Sequence, residues 1–167
     1  IRSLYVMCEQ PFQEVENFVE ECVEAYDIEL VRMDGSMKDA LATYLGTRKG
    51  VKAMFIGTRR NDPHGAKLSF VTPTDPSWPA LQRVHPIINW TYHDVWAFLR
   101  YFEIPYCSLY DLGYTSLGSV YNTYRNPALL VKRGDGEGDG AQGEPWSVYR
   151  PAYELVDGEL ERAGRGR

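Results

Sequence analysis

Residues 51–63 read Val51-Lys52-Ala53-Met54-Phe55-Ile56-Gly57-Thr58-Arg59-Arg60-Asn61-Asp62-Pro63. Apart from Lys52 the first six are apolar and do not alternate with polar residues, as expected of a parallel-sheet strand covered on both faces. The character changes at Gly57. A strand that runs into glycine, hydroxyl, guanidinium and carboxylate groups is the pattern of a ligand site at the carboxyl end of a parallel strand.

Working toward the N-terminus, Ser36 with Asp39 three residues on is a capping-box signature that opens a helix through Met37, Ala40, Leu41 and Tyr44, ending at Gly46. Before it, Ile28 to Val31 reads as a short strand. Phe12, Val15, Phe18, Val19, Cys22, Val23 and Tyr26 recur at three- and four-residue steps opposite a face of Glu and Asn, which predicts an amphipathic helix. Pro11 suits the first helical position of that helix. Ile1 to Met7 is strand-like and opens without a methionine, which reads as a piece cut from something longer. Strand, helix, strand, helix, strand at this spacing predicts right-handed βαβ units: an α/β fold with a parallel sheet and helices on both faces.

Toward the C-terminus, residues 57–86 carry Pro63, Pro73, Pro76, Pro79 and Pro86 and no hydrophobic period, so a long binding loop is expected. Thr91 with Asp94 caps a further helix that carries Val95, Trp96, Phe98, Leu99 and Phe102 and stops before Pro105. Asp111 to Ser119 is turn-rich. Residues 133–144 are glycine and acid, expected to be a mobile loop, and a short helix is expected near Glu159 to Ala163.

The 167 residues suit one domain, and 18 Lys plus Arg against 23 Asp plus Glu leave a net charge of −5, which argues against a sequence-independent nucleic-acid binder. No apolar run approaches a membrane span. Three scattered cysteines, Cys8, Cys22 and Cys107, fit free thiols in a reducing compartment, and cytoplasmic location is expected.

Most catalytic constellations drop out. His64, His85 and His93 lack ligand spacing, so surface or supporting roles are expected. No G-x-S-x-G elbow is present. The run Gly134-x-Gly136-x-Gly138-x-Gly140 carries Asp135, Glu137 and Asp139, which would repel phosphate. What remains is concentrated in three places. Arg59 and Arg60 offer planar forks suited to phosphate, with Asp62 beside them to hold Mg²⁺ or a hydrogen-bond donor, although two surface arginines closing a strand is the commoner arrangement. Asp75, Trp78 and Arg83 form a trio that either reads, stacks and pairs a ring with an anionic group, or is a rigid proline turn with Trp78 folded onto the core. Arg162 and Arg165 stand three apart in the tail, where a solvated terminus is the simpler local account.

Together these segments resemble the eukaryotic FAD synthetases, the FMN adenylyltransferases of the phosphoadenylyl-sulfate-reductase-like group, in their fungal branch. The resemblance rests on Gly57–Pro63, on Thr74-Asp75-Pro76-Ser77-Trp78-Pro79, and on Asn89-Trp90-Thr91-Tyr92-His93-Asp94-Val95-Trp96. It continues through Pro105–Gly118, Arg150-Pro151-Ala152-Tyr153 and Leu160–Arg165. It implies a PP-loop-type α/β fold with a C-terminal flavin-binding extension, and transfer of AMP from ATP to FMN, giving FAD and pyrophosphate with Mg²⁺. It implies that Asp62, Asp75, Trp78, Arg83, Arg162 and Arg165 serve the flavin and Ile1, Tyr5, Gly57, Thr58 and Arg59 the adenylate, with Asp62 and Arg59 as the catalytic candidates. No residue is singled out as a metal ligand. The partners implied are the small molecules FMN and ATP; composition argues against nucleic acid and membrane, and the oligomeric state is left open, with a monomer as one expectation. The family's Ser-x-Gly-Gly-Lys-Asp type pyrophosphate loop, upstream of this region, is missing, and so is the strand that precedes it. A non-catalytic flavin- or nucleotide-binding module is therefore the alternative. A sulfonucleotide reductase, which needs a tail cysteine, is not supported, because the last cysteine is Cys107.

Overall fold

Seven short strands and three helices organise the chain in a computed structural model that describes residues 1–133 and 147–166. The glycine-acid segment expected to be mobile lies, from residue 134 onward, outside the described residues. The elements are β1 (Arg2–Val6), α1 (Gln13–Ala25), β2 (Glu29–Met33), α2 (Met37–Thr47) and β3 (Ala53–Phe55). They are followed by β4 (Val71–Pro73), β5 (Gln82–Val84), α3 (Tyr92–Tyr101), β6 (Leu130–Arg133) and β7 (Ser147–Tyr149), with several 3₁₀ turns between. Two units can be distinguished: Ile1–Glu9 with Glu20–Val95, and Gln10–Val19 with Trp96–Arg167.

In the first unit β1 and β2 pair in parallel, Leu4 opposite Val31, as a βαβ connection requires. β3 pairs in parallel with β5, and β4 adds to β5 from the other side, antiparallel, giving the order β3-β5-β4. The parallel pairings follow the reading of the sequence. β4 and β5, inside the stretch read as an unbroken loop, do not. Each is three residues long, and β4 ends on Pro73 while β5 is Gln82-Arg83-Val84, so neither offers a period to detect. Pro73 is tolerated because β4 pairs with β5 alone.

α2 starts as its sequence dictates: the Asp39 N–H donates to Ser36 Oγ at 3.1 Å and the Ser36 hydroxyl to the Asp39 carboxylate at 2.7 Å. Ala40, Leu41 and Tyr44 are buried, all on one face of the helix. β1 and β3 line a common cavity of about 430 Å³, with Ile1 and Leu4 from one side, Val51, Met54 and Phe55 from the other, and Tyr44 between. β3 is therefore not covered all round: Phe55 is 79% exposed because it borders that opening. Pro11 also differs from expectation. The first helical turn of α1 hangs from the Phe12 carbonyl, which accepts from Val15 and Glu16, so Pro11 precedes the cap.

In the second unit Trp96 is 6% exposed and meets Tyr106, Tyr110 and Tyr153 edge-on at 5.1, 5.3 and 6.0 Å between centroids. The Arg100 guanidinium lies 3.9 Å over the Tyr153 ring. Burial, then the bond to Asp111, pushes the Tyr106 hydroxyl's pKa up. β6 and β7 form an antiparallel pair, and the tail forms a 3₁₀ turn over Gly158–Arg162 where a short helix was expected. No helix among the described residues is long and apolar enough to cross a membrane.

Candidate functional site

The turn that leaves β3 is built on a clasp. The Asp62 carboxylate accepts the Arg59 backbone N–H at 2.8 Å through one oxygen and the Arg59 Nη2 at 2.8 Å through the other. Arg59 is only 8% exposed, so its charge needs the carboxylate beside it. Arg60 is also used within the fold. Its Nε donates to Asn89 Oδ1 at 2.7 Å and its Nη1 to the Leu68 carbonyl at 2.9 Å, which pins the loop to the segment after β5. The two adjacent forks thus shape the turn. Gly65 is required for it, since a Cβ there would lie 1.9 Å from the Arg59 carbonyl oxygen. At Gly57 a Cβ would meet Ile87 Cδ1 at 3.9 Å, an ordinary contact, so the backbone there is open to approach.

The second group lies between β4 and β5. Thr74 Oγ1 donates to the Pro79 carbonyl at 2.7 Å and accepts the Leu81 N–H at 3.1 Å, and the Trp78 N–H donates to the Asp75 carbonyl at 2.8 Å. The proline turn is real, and it carries Asp75 and the half-buried Trp78. Arg83 reaches across from β5, with Nη2 2.9 Å from the Pro73 carbonyl and 3.8 Å from Asp75 Oδ1. Asp75 is 68% exposed, so that ion pair contributes about 0–1 kcal/mol and does not account for the arrangement. Arg83 Nε is buried with no hydrogen-bond partner among the described residues. A buried N–H left without an acceptor costs roughly 1–3 kcal/mol, and His85 Nε2 is a second such buried atom among the described residues.

Of the adenylate candidates, Ile1 borders the β1–β3 cavity, Tyr5 is half-buried with the Arg32 guanidinium 5.6 Å from its ring centroid, and Gly57 and Thr58 follow β3. In the second unit Arg162 is exposed, its Nη1 3.4 Å from Ser116 Oγ. Arg165 instead donates to the Leu117 carbonyl at 2.5 Å and packs over Gly118, where a Cβ would lie 2.3 Å from its Nη2. The two tail arginines therefore differ: one is presented to solvent, the other fixes the tail. His85 is a supporting residue, 1% exposed with Nδ1 3.0 Å from the Ser69 carbonyl.

The described residues offer no preformed protein cage for Mg²⁺, an ion commonly held by one or two carboxylates together with substrate phosphates. Both Asp62 oxygens already serve Arg59, and no three His, Cys, Asp or Glu side chains gather among the described residues.

The sequence reading passed over Gly65, Asn89 as the anchor of Arg60, and a buried pair, Thr115 and Asn126. Asn126 was legible in part, because Asn followed by Pro127 is a cap-and-first-position signature.

The family model of the phosphoadenosine phosphosulfate reductase domain matches residues 36–125, more than half of the chain. The chain is 41% identical over 165 residues to a probable FAD synthase of Schizosaccharomyces pombe, covering 99% of this chain and 57% of that protein. In structure it is similar to the FMN adenylyltransferase of Candida glabrata, with a TM-score of 0.86 and 30% identity, over 98% of this chain and 68% of that one. It is also similar to yeast FAD synthetase, with a TM-score of 0.81 and 31% identity, over 97% and 66%. The fold is thus the PP-loop-type α/β fold. The chain belongs to the phosphoadenosine phosphosulfate reductase domain family, in its FMN adenylyltransferase branch. It spans a little over half the length of the fission-yeast relative.

Proposed function

We propose that the protein makes FAD, transferring the AMP moiety of ATP to FMN. A phosphate oxygen of FMN attacks the α-phosphorus, the bond from that phosphorus to the bridging oxygen of the β-phosphate breaks, and pyrophosphate leaves with the electron pair. The observation that carries this reading is the match over nearly the whole chain to proteins of that activity. Crystals of the Candida glabrata protein hold FMN with an ATP analogue, and FAD with inorganic pyrophosphate.

The chemistry asks little of the protein beyond positioning, because the substrate is its own nucleophile. In the first unit Arg83 supplies a buried donor to the flavin nucleotide and Asp75 and Trp78 flank it. For the second unit, the family resemblance alone supports Arg162 as a cation for FMN. The Asp62–Arg59 clasp holds the turn so that Gly57 and Thr58 can receive the adenylate, beside Ile1 and Tyr5. Magnesium arrives on the phosphates of ATP as part of the substrate. A cytoplasmic location suits three free thiols.

The test compares FMN binding and turnover in the protein at its full natural length with those of Arg83→Ala and Asp62→Ala. FMN affinity should fall about tenfold or more in Arg83→Ala, the loss of one charge-assisted hydrogen bond. Wild-type kinetics in both variants would contradict the assignment.

A further inference from the structure

The tail of the second unit is held by a buried polar clasp that nothing in its own 3₁₀ turn requires. Asn126 is 0% exposed and Thr115 3%. The Asn126 carboxamide donates to the Leu160 carbonyl at 2.8 Å and to Thr115 Oγ1 at 2.8 Å, and accepts the Ala128 N–H at 2.9 Å. The Thr115 hydroxyl passes the link on, donating to the Glu161 carbonyl at 2.6 Å. Two consecutive carbonyls are thus gripped immediately before Arg162. On the other side, Tyr124 N–H donates to the Gly164 carbonyl and Gly166 N–H to the Asn122 carbonyl, both at 2.8 Å.

A chain end normally frays unless it is tied down. Here the backbone on both sides of Arg162 is tied while its side chain is exposed beside Ser116 Oγ. Burying an amide and a hydroxyl is unfavourable unless every group is satisfied, and an apolar pair of that size would add stability with less demand on geometry. What a fully satisfied network adds is a fixed position for the residue it precedes.

We propose that Asn126, acting through Thr115, is a positioning residue for flavin use: it sets where the Arg162 guanidinium is presented. This rests on the reading of Arg162 as a ligand of FMN. A preorganised arginine spares the ordering cost otherwise taken from binding, so loosening the clasp weakens FMN binding while ATP binding is unaffected.

The test uses Asn126→Asp, which keeps the acceptor but removes both donors, and Thr115→Val with Thr115→Ser as its conservative rescue, in the protein at its full natural length. If Asn126→Asp does not fold, the Thr115 pair decides. The KM for FMN should rise about tenfold in Asn126→Asp and Thr115→Val, with the KM for ATP unchanged and Thr115→Ser near wild type. The amides of residues 163–165 should exchange faster, and Arg162→Ala should add no further loss on top of either variant. Equal effects on both substrates, or losses that add to that of Arg162→Ala, would overturn the proposal and leave the clasp as ordinary support. Tail exchange is read without substrate, so it separates the two failures. Faster exchange in a protein that makes no FAD overturns the flavin role and the function together but keeps the clasp. Unchanged exchange overturns the clasp itself.

Discussion

At Arg59 and Arg60 the residue types were legible and their partners within the fold were not. Two adjacent guanidinium groups at a strand end point to phosphate, yet Arg59 is absorbed by Asp62 and Arg60 by Asn89 and two carbonyls. Asn89 lies 29 residues from Arg60, and no local reading of spacing brings them together. Arg83 shows the opposite case. It was one member of an undecided trio, and its buried, unpartnered Nε is what gives it weight. Gly65 was passed over, since a glycine's need becomes visible only when the carbonyl it makes room for is located. Gly65→Ala should destabilise the protein by roughly 1–3 kcal/mol, as overpacking against backbone does. It should also raise the KM for ATP, because the Arg59–Asp62 turn has to shift. Denaturant unfolding with parallel kinetics checks both effects, and an unchanged midpoint would mean that the turn is looser than described.

At the scale of elements, capping signals translated directly into structure. The Asp94 N–H donates to Thr91 Oγ1 at 3.1 Å, while the Thr91 N–H and hydroxyl both donate to the Asp94 carboxylate at 2.8 Å. These bonds, the backbone one foremost, hold the Asp94 carboxyl below the usual carboxylate range. Its folded-state value is thus depressed relative to the unfolded chain. The linked stability is present above about pH 4, the unfolded value, and is lost as pH falls through the folded value. Thr91→Ala should cost about 1 kcal/mol through loss of the cap acceptor, with little pH dependence, whereas Asp94→Asn removes the charge-assisted bonds, so its gap from wild type should close in acid. Unfolding midpoints measured from neutral pH to below pH 3 follow this, and a gap independent of pH in Asp94→Asn would refute it. Long amphipathic elements were legible for a related reason: α1 carries Val15, Phe18, Val19, Cys22 and Val23 half-buried on one stripe. Burial, with Glu21 adding to it, pushes the Cys22 thiol's pKa up, consistent with a packing role. β4 and β5 failed to register because three residues carry no period, and what makes them strands is pairing with partners distant in sequence.

On the scale of the whole molecule, the order of motifs carried more than any one of them. Single pieces such as Gly57–Asp62 or the tail arginines admitted bland explanations, and their joint order pointed to the family to which the chain belongs. The first unit supplies a strand-end turn, an open backbone at Gly57 and a buried guanidinium donor; the second supplies a tail whose exposed arginine is held from both sides. Each of these is a positioning feature, which is what the proposed attack of a phosphate ester on a phosphoanhydride asks of a protein. The direct measurement is to incubate the protein at its full natural length with FMN, Mg²⁺ and ATP labelled at either the α- or the γ-phosphorus, then separate the flavins. The account predicts that the α-label appears in FAD and the γ-label in pyrophosphate. FMN recovered unchanged with both labels still in ATP would contradict it.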